Sequence, residues 1–475
     1  MTPQRLDAAM GEMTQLLLPE VKEALRSGDD KLLAESVNAL TEELLAADIA
    51  DLLLTLEHDD AVKLFKALIP RKRIHAFEFL GLEEQEKLVE NLGSETLGAV
   101  LDGMSSDDRA DLFRHLPEAA RERLYPMLAQ AERNDVKRLL EFTEGTAGSV
   151  MSTEYATIKP EMTVSEALEH LRHVAPQRET IYVLFVIDEQ RHLLGVVSLR
   201  ELITAVVGSK VAQVMRREVI SAKATADREE VAALISKYDF LALPILDDEG
   251  RMLGIVTHDD VIDVIKAEAT EDAHKVGGVE ALDMPYLETP ILTMFRKRGV
   301  WLVLLFIGQM FTANAMSHFE KEITVALVLA LFVPMIISSG GNSGGQAASL
   351  IIRALAVGEV KMSDWWKVVR REIVTGLMLG AMLGVLGFGQ VLVRSWFSPQ
   401  EYRGHGVLVA ATITVSLVVI VLWGSITGSM LPIILKRLGL DPATSSTPFV
   451  ATLCDVTGIV IYFAIAILML RGALL

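Results

Sequence analysis

One carboxylate stands inside an apolar stretch that is long enough to cross a lipid bilayer. Asp455 is the only charged residue among the 23 residues from Pro448 to Leu470, and about 20 helical residues span the ~30 Å hydrocarbon core. An Asp near mid-bilayer costs ~2.5–3.5 kcal/mol on insertion scales, so we expect it to face a bundle interior or a water-filled path. A cation pathway would use such a group. A structural ion pair with Lys or Arg of another span is the alternative, but the apolar stretches contain neither residue.

A run of glycines and amides interrupts a second apolar stretch. The segment Gly340–Gln346, with the sequence GGNSGGQ, follows Pro334 within that stretch. Glycine and proline weaken a helical hydrogen-bond ladder and let backbone carbonyls approach a ligand, which a membrane tolerates only where protein or water covers the backbone. Close helix packing by small residues is the alternative for the glycines. It does not explain Asn342 and Gln346, which are four residues apart and therefore share a helix face.

Depth in the membrane links the two polar segments. Asp455 lies seven residues from the inner end of its stretch, and Gly345 lies seven residues before Ile352, near the inner end of the other. Seven helical residues span ~10 Å, so we expect both positions at one level in the inner half of the bilayer. The residues predicted to form the pore are Asp455 as the ion site and Gly340, Gly341, Asn342, Gly344 and Gln346 as its lining.

The donor set indicates the class of ion. Carboxylate, amide and carbonyl oxygens without Cys or clustered His favour a hard cation such as Mg²⁺, Mn²⁺ or Ca²⁺ over Zn²⁺ or Cu²⁺. Mg²⁺ loses its waters reluctantly, so one or two carboxylates with carbonyls that reach its hydration shell would suffice. A single Asp per chain becomes two on the axis of a symmetric dimer. We therefore expect a homodimer with the pore between or along the subunits.

The C-terminal part of the chain predicts five transmembrane helices. Apart from Asp455, its apolar stretches hold no formal charge, and each reaches about 20 residues. These stretches are Gly299–Phe319, Ile323–Ile352, Ile373–Val393, Gly404–Leu435 and Pro448–Leu470. If the N-terminal part is cytoplasmic, ten Lys and Arg residues of the short connections lie inside and four lie outside. This agrees with the positive-inside rule and places the N-terminus in the cytoplasm and the C-terminus outside, in a plasma-membrane protein with several spans.

The N-terminal part is strongly acidic. Residues 1–298 carry 34 Lys and Arg against 55 Asp and Glu, a net charge of −21, whereas residues 299–475 carry a net charge of +3. So acidic a region without a basic stripe excludes nucleic acid as a partner and favours cations. Cys454 is the only cysteine, which excludes an intrachain disulfide and a thiolate metal cluster. The first 20 residues lack a signal-peptide pattern, so we expect the acidic part to remain in the cytoplasm.

Two internal repeats organise this acidic part. Helical periodicity without strand signals runs from about Leu16 to Leu140, and Asp59–Leu68 is echoed 48 residues later by Asp107–Leu116, which suggests a helical solenoid. Short β-rich runs then alternate with helices in two copies: Gly195-Val-Val-Ser in the first matches Gly254-Ile-Val-Thr in the second, 59 residues on. The tandem unit resembles a pair of cystathionine-β-synthase-type (CBS) domains.

A nucleotide site in the CBS pair is one interpretation, and a purely structural module is the other. The resemblance implies a glycine strand, a hydroxyl for phosphate and, three residues later, an Asp for a ribose diol. Thr257 and Asp260 satisfy that pattern in the second copy, whereas the first copy has Glu201 in the last place. ATP is therefore a candidate ligand through Thr257 and Asp260.

An acidic helix is predicted between the repeats and the membrane spans. The segment Asp259–Val279 has an apolar side and a face rich in Asp and Glu. It reads either as a solvated linker or as a gating element directly upstream of the pore. The predicted domains are a helical acidic N domain at 1–146, CBS copies at 147–210 and 211–258, the connecting helix and linker at 259–298, and the membrane domain at 299–475.

This order of domains, with the Gly340–Gln346 segment and Asp455-Val-Thr-Gly, resembles the MgtE magnesium channels over nearly the whole chain. The fold class is thus a multidomain membrane protein: an all-α, solenoid-like N domain, an α/β CBS pair and five transmembrane helices. The resemblance implies a dimeric Mg²⁺-selective channel with Asp455 as the pore site. It also implies a cytoplasmic Mg²⁺ sensor, whose matching carboxylates are Asp107, Asp111, Asp227, Glu229, Asp239, Asp260, Asp263, Glu268, Glu271 and Asp272.

The expected function is Mg²⁺ uptake that is closed by cytoplasmic Mg²⁺ bound between the acidic surfaces. Two other classes remain open: a proton- or sodium-coupled transporter of Mn²⁺ or Co²⁺, and a signalling membrane protein with the CBS pair as its sensor. The sequence contains no recognisable nucleophile–base motif and no phosphate-binding loop, so no enzymatic activity is expected.

Overall fold

The computed structural model describes residues 16–26, 29–282, 284, 286–287, 289–400, 402 and 404–472. Positions 1–15 lie outside the described residues, and so do the last three residues. Positions 1–15 begin the predicted N domain and belong to the segment in which the sequence lacks a signal-peptide pattern. The chain divides into two compact units, one that ends at Ile265 and one that begins at Lys266.

The first unit begins with a stack of short helices, and its described residues contain no strand before residue 155. Leu and Phe recur at three- and four-residue spacing, so each helix buries one side on its neighbours. Helices that are next but one in the chain pack together: α2 on α4, α3 on α5, α5 on α7, α6 on α8 and α8 on α10, which confirms the solenoid-like layering. The helices are α1 (16–25), α2 (Asp30–Leu40), α3 (Ala46–Thr55), α4 (His58–Ala67), α5 (Pro70–Glu78), α6 (Leu82–Asn91), α7 (Ser94–Gly103), α8 (Ser106–His115), α9 (Glu118–Leu124) and α10 (Gln130–Leu140).

The 48-residue repeat corresponds to helices α4 and α8. Leu64 and Phe65 of α4 are buried, and so are Leu112 and Phe113 at the matching positions of α8. Both helices carry two Asp residues in the first turn and a basic residue in the last, an arrangement that complements the helix dipole.

Two α/β copies follow in the same unit, as predicted for a CBS pair. Each copy forms a three-stranded sheet in which the first strand pairs in parallel with the second and the second pairs antiparallel with the third. The first copy contains β1 (Tyr155–Ile158), α11 (Val164–Val174), β2 (Thr180–Ile187), β3 (Leu193–Ser198) and α12 (Leu199–Thr204). The second contains α13 (Val211–Val214), β4 (Ala222–Lys223), α14 (Arg228–Tyr238), β5 (Ala242–Leu246) and β6 (Met252–Thr257), and leads into α15 (His258–Val276).

The two copies exchange their leading segments. A Cβ at Gly195 of the first copy would lie 2.7 Å from the carbonyl oxygen of Arg216, which opens the second copy. A Cβ at Gly254 of the second copy would lie 2.7 Å from the carbonyl oxygen of Ser152, which opens the first. Only glycine allows this approach, so the repeated glycines hold the pair together.

Among the described residues of the second unit, five helices have the length and composition to cross a membrane, which matches the predicted number. The helix α19 packs between α21 and α22, α20 packs on α21, and α16 packs on α22. The helices of this unit are α16 (Ile291–His318), α17 (Glu320–Val325), α18 (Leu327–Ala330), α19 (Val333–Ala356), α20 (Trp365–Phe397), α21 (Gly406–Arg437) and α22 (Thr447–Leu470).

The second predicted span is interrupted before its glycine run. The chain leaves helical geometry at Ala326, between α17 and α18, and a short turn at Leu331 and Phe332 precedes α19. Segment 340–345 lies inside the continuous helix α19, and Pro334 occupies the first turn of that helix, where proline needs no intrahelical donor. The glycines, which were expected to weaken the hydrogen-bond ladder, therefore lie in an unbroken helix.

Candidate functional site

Asp455 lies in the third turn of α22, half-buried, and contacts one polar side chain. Its Oδ2 accepts a hydrogen bond of 2.7 Å from Nε2 of Gln309 in α16. Among the described residues no Lys, Arg or His forms a salt bridge with Asp455. The alternative of a structural ion pair thus finds no support in the described part of the chain.

The register of α19 against α22 corrects the expected depth of the glycines. A Cβ at Gly345 would meet Thr447 at 2.6 Å, and a Cβ at Gly341 would meet Ala451 at 3.3 Å, so the two helices run antiparallel at this contact. Gly345 is level with the start of α22 and not with Asp455, which lies eight residues, or ~12 Å, further along the helix. The same register places Asp455 opposite residues 337–338.

The glycines of α19 pack against neighbouring helices. Gly344 of α19 and Gly428 of α21 touch so closely that a Cβ at Gly428 would overlap the carbonyl oxygen of Gly344, and Gly424 approaches the carbonyl oxygen of Gly340 in the same way. The assignment of Gly340, Gly341 and Gly344 to the pore lining stays a prediction. In the single chain these glycines are buried, and their small size allows α21 and α22 to approach α19.

The two amides of the segment face outward, as their spacing predicted. Asn342 and Gln346 are exposed on one side of α19, and with Ser349 and Thr447 they line an open groove of about 600 Å³. The hydroxyls of Ser349 and Thr447 lie 3.3 Å apart, and Nδ2 of Asn342 donates over 3.4 Å to Oγ of Ser338. A polar strip therefore runs along α19 from the level of Thr447 toward the level of Asp455.

A carboxylate cluster forms where α15 ends beside the membrane helices. Nζ of Lys275 donates to Oδ2 of Asp441 over 2.6 Å and forms a salt bridge of 2.5 Å with Glu271. Burial raises the pKa of Asp272, and the negative charge of Asp441 raises it further. Just beyond α15, Gly278 has a positive φ of 73° and lies against Pro448 at the start of α22.

Sequence reasoning did not include Asp441 among the sensor residues. The side chain caps a short 3₁₀ turn, Pro442–Thr444, by accepting a hydrogen bond of 2.8 Å from the amide of Ala443. An Asp-Pro pair is typical of such a turn, so its sequence signal is structural. Only the contact with Lys275 and Asp272 reveals that Asp441 faces the acidic helix.

A second carboxylate cluster lies inside the first unit, between α8 and the start of α15. The side chains of Asp107 and Asp260 come into hydrogen-bonding contact, and Oδ1 of Asp107 is buried with no hydrogen-bond partner. Burial raises the pKa of Asp107 well above its usual range, and the charges of Asp260, Asp108 and Glu179 raise it further. Burial and the charge of Asp260 also raise the pKa of Glu179 to about 7. A cation would relieve this crowding.

The positions predicted to bind nucleotide are already occupied by a helix cap. Thr257 is buried, its amide donates to Oδ2 of Asp260 over 3.0 Å, and its hydroxyl donates to the same oxygen over 2.6 Å. An open cleft of about 320 Å³ lies elsewhere in the CBS pair, lined by Ser198 and Glu201 of the first copy and by Asp239 of the second. Ser198 and Glu201 form the same kind of cap, since the amide and the hydroxyl of Ser198 both donate to Oε2 of Glu201 over 2.8 Å. The two motifs are therefore alike, and the cleft lies beside the first.

The remaining predicted sensor residues hold helix ends or lie on α15. Asp111 forms salt bridges with Arg114 and His115 in α8. Asp227 caps α14 by accepting from the amide of Glu229 over 2.8 Å, and Asp239 ends the same helix in a left-handed conformation. Asp263 is exposed and Glu268 is half-buried on α15. The structure thus brings together Asp107 with Asp260, and Glu271 and Asp272 with Asp441, but not Asp111, Asp227 or Asp239.

The carboxylates do not form a preformed ligand cage. Within the described ranges, no group of three or more His, Cys, Asp or Glu side chains is arranged to hold a bare metal ion. Pairs of carboxylates suit a hydrated cation better, because Mg²⁺ keeps most of its waters and needs only one or two protein oxygens. The donor set therefore fits Mg²⁺ bound through its hydration shell.

Comparison with known proteins gives consistent matches along the chain. The family model MgtE, described as divalent cation transporter, matches residues 333–465; the MgtE intracellular N domain matches 44–145, and the CBS domain matches 147–208 and 211–267. The magnesium transporter MgtE of Thermus thermophilus is 39% identical over 97% of this chain and 100% of its own length. The magnesium transporter MgtE of Enterococcus faecalis is 37% identical over 72% of each chain. The crystal structure of the soluble part of a magnesium transporter superposes with a TM-score of 0.50 and 31% identity, covering 55% of this chain and 99% of that one.

Proposed function

The chain belongs to the MgtE family of magnesium transporters, and on that premise we propose that it is a homodimeric Mg²⁺ channel of the plasma membrane, closed by Mg²⁺ on its cytoplasmic side. The relatives it matches are transporters, so the prediction that it is not an enzyme is confirmed. The predicted positive-inside orientation is kept as part of this proposal.

The observation that carries the proposal is the state of Asp455. It is the only charge of its membrane helix, and its hydrogen-bond partner among the described residues is the neutral amide of Gln309. An intramembrane carboxylate that keeps its charge uncompensated is expensive unless water or an ion reaches it. Two copies on the axis of a dimer would attract a divalent cation between them.

Conduction follows from the chemistry of the hydrated ion. The polar strip of Asn342, Gln346, Ser349 and Thr447 offers oxygens to water ligands, not to a bare ion. Mg²⁺ would move along this strip with its first hydration shell and pause at the Asp455 pair. The strip lies beside Pro448 at the start of α22, and Gly278, just beyond the end of α15, lies against the same proline. The inner entrance and the acidic helix are therefore neighbours.

Closure follows from the two carboxylate clusters. When cytoplasmic Mg²⁺ is abundant, it offsets the repulsion between Asp107 and Asp260 and among Glu271, Asp272 and Asp441, and so stabilises the arrangement in which α15 rests against the start of α22. When Mg²⁺ is scarce, the repulsion separates these groups. Several weak sites that favour one state together give a steeper response than a single site of equal affinity.

The proposal also includes the remaining predicted sensor carboxylates and a nucleotide ligand. We assign Asp263 and Glu268 on α15, together with Asp111, Asp227, Glu229 and Asp239 of the first unit, to the sensor as further carboxylates that would hold Mg²⁺ more weakly. An adenine nucleotide such as ATP is the proposed ligand of the CBS pair, with the cleft beside Ser198 offering the volume.

The test is Mg²⁺ flux through the reconstituted full-length protein with the internal Mg²⁺ concentration varied. We expect Asp455→Asn to abolish Mg²⁺ flux in a dimer that still folds, and we expect internal Mg²⁺ to close the unaltered channel. Normal flux in Asp455→Asn would end the pore assignment. Saturating flux that depends on a proton or sodium gradient would favour the coupled transporter of Mn²⁺ or Co²⁺ instead.

A further inference from the structure

We propose that Gln309 is a specificity-determining residue that makes Asp455 select hydrated Mg²⁺ against Ca²⁺. The inference rests on the proposed function, because it concerns the same ion site. Gln309 donates its amide to Oδ2 of Asp455 over 2.7 Å, from the neighbouring helix α16. No charge or repeated motif marks Gln309 in the sequence.

The contact between the two helices fixes the position of the amide. Gly308, the residue before Gln309, lies against Thr452 of α22, and a Cβ at Gly308 would come within 2.6 Å of Cγ2 of Thr452. Most of α16 is exposed in the single chain, and α22 is its main packing partner. The close approach at Gly308 therefore sets the distance at which Gln309 meets Asp455.

The hydrogen bond changes what the carboxylate can offer an ion. An Asp has two oxygens, and Ca²⁺ often takes both at 2.3–2.6 Å within six to eight oxygen ligands. Because Oδ2 already accepts a hydrogen bond from Gln309, an ion that binds both oxygens must compete with that hydrogen bond for Oδ2, whereas binding through Oδ1 alone leaves it intact. One oxygen suffices to accept a hydrogen bond from a water of hydrated Mg²⁺, which keeps most of its waters. The arrangement thus penalises direct binding of Ca²⁺ more than binding of hydrated Mg²⁺.

The same contact keeps the carboxylate aimed. A hydrogen bond to a charged acceptor is stronger than one between neutral groups and restricts the side chain to one orientation. In a dimer, each Asp455 would be held by its own Gln309, so that two single oxygens face each other across the axis. Gln309 is therefore a positioning residue, and its effect should appear in the choice of ion.

The experiment measures the Ca²⁺ concentration that halves Mg²⁺ uptake into liposomes containing the full-length protein. In Gln309→Leu both oxygens of Asp455 become available, and we expect Ca²⁺ to block at about tenfold lower concentration, equivalent to ~1.4 kcal/mol. Asn314→Leu is the matched control, since it also replaces an exposed amide of α16, five residues further along. We expect the control to keep the Ca²⁺ sensitivity of the unaltered protein.

A second variant separates loss of the hydrogen bond from misfolding of the Gln309→Leu protein. Gln309→Met keeps the length of the side chain, adds no charge and cannot donate, so it too should strengthen the block by Ca²⁺. Unchanged Ca²⁺ sensitivity in both variants, whether Mg²⁺ uptake is normal or reduced, would overturn this inference alone. Absence of Mg²⁺ uptake by the unaltered protein would overturn the proposed function, and the inference with it.

Discussion

At the scale of single residues, charges in this protein are balanced by neighbours that the sequence does not place beside them. Lys275 is separated from Asp441 by 166 positions, yet it joins that residue to Glu271 at the end of α15. Gln309 and Asp455 are 146 positions apart. Spacing can identify Asp455 as unusual because its helix is otherwise apolar. Spacing cannot identify the residue that contacts Asp455, because a polar side chain in a membrane span forms its contacts with residues of other helices.

Removing the ammonium group of Lys275 from the carboxylate cluster at the end of α15 should raise the Mg²⁺ concentration that is needed for closure. Lys275→Met leaves three carboxylates, Glu271, Asp272 and Asp441, without the ammonium group that now bridges two of them. The pair is about one-third exposed or less, and partly exposed ion pairs contribute up to ~1 kcal/mol. We therefore expect the internal Mg²⁺ concentration for half-closure to rise by roughly fivefold, as measured by flux at graded internal Mg²⁺.

Lys223→Met is the control for that measurement. Lys223 pairs with Asp248 in the second CBS copy over 2.8 Å, and both side chains are largely exposed. The substitution removes the same charge from the cytoplasmic region but leaves the α15 cluster intact, so half-closure should stay at its original concentration. An equal shift in both variants would show that net charge, not the bridge, sets the response.

Neutralising one carboxylate of the cluster between α8 and the start of α15 should make the cytoplasmic region more compact when Mg²⁺ is absent. Asp107→Asn removes the repulsion with Asp260 while an amide can still hydrogen-bond there. We expect trypsin to cleave the cytoplasmic region several-fold more slowly without Mg²⁺, and addition of Mg²⁺ to bring little further protection. Asp51→Asn, exposed on α3, is the control. If Asp107→Asn keeps the full difference between Mg²⁺-free and Mg²⁺-bound cleavage, Asp107 does not bind the ion.

At the scale of elements, helix type and number follow from local pattern, whereas helix contacts do not. The three- and four-residue periodicity of Leu and Phe predicted the N-terminal helices, and apolar length predicted the five membrane helices, because both depend on residues near in sequence. The glycines of segment 340–345 were predicted to line a pore, and the structure adds that they pack against α21 and α22. Small residues fit both uses, so the pore lining stays a prediction.

A methyl group added at a closely packed glycine should push two membrane helices apart. In Gly428→Ala, the added methyl would overlap the carbonyl oxygen of Gly344, so α19 and α21 would have to separate. Overpacking of this kind costs typically ~1–3 kcal/mol. We expect a lower midpoint of thermal unfolding in detergent and loss of Mg²⁺ flux. Gly389→Ala on α20 is the matched control, since nothing lies within 4 Å of a Cβ there, and it should leave both quantities unchanged.

The CBS pair shows how a repeat can predict a contact. The 59-residue offset identified Gly195 and Gly254 as equivalent, and the structure uses both for the same purpose: each admits the leading segment of the other copy. The nucleotide position at Thr257 and Asp260 stays a prediction. A hydroxyl-to-carboxylate spacing of three residues is also that of a helix N-cap, and these two residues form such a cap.

At the scale of the whole molecule, the distribution of charge distinguishes bound ions from general screening. Residues 1–298 carry a net charge of −21, and any salt shortens the range of their repulsion, to ~8 Å at 0.15 M ionic strength. Contacts such as those of Asp107 with Asp260 lie well inside that range. Monovalent salt therefore cannot cancel them, whereas a divalent ion placed between two carboxylates can.

Mg²⁺ and K⁺ should therefore act differently on the full-length protein. Millimolar MgCl₂ should protect the cytoplasmic region from trypsin, and KCl at the same ionic strength should not, since K⁺ only screens the carboxylates at a distance. The protection should also rise steeply with Mg²⁺, because several weak sites favour the same closed state. Equal protection by KCl would mean that the acidic region merely compacts as its charge is screened. The carboxylate clusters would then not be the sensor, although Asp455 could still serve as the ion site of the membrane helices.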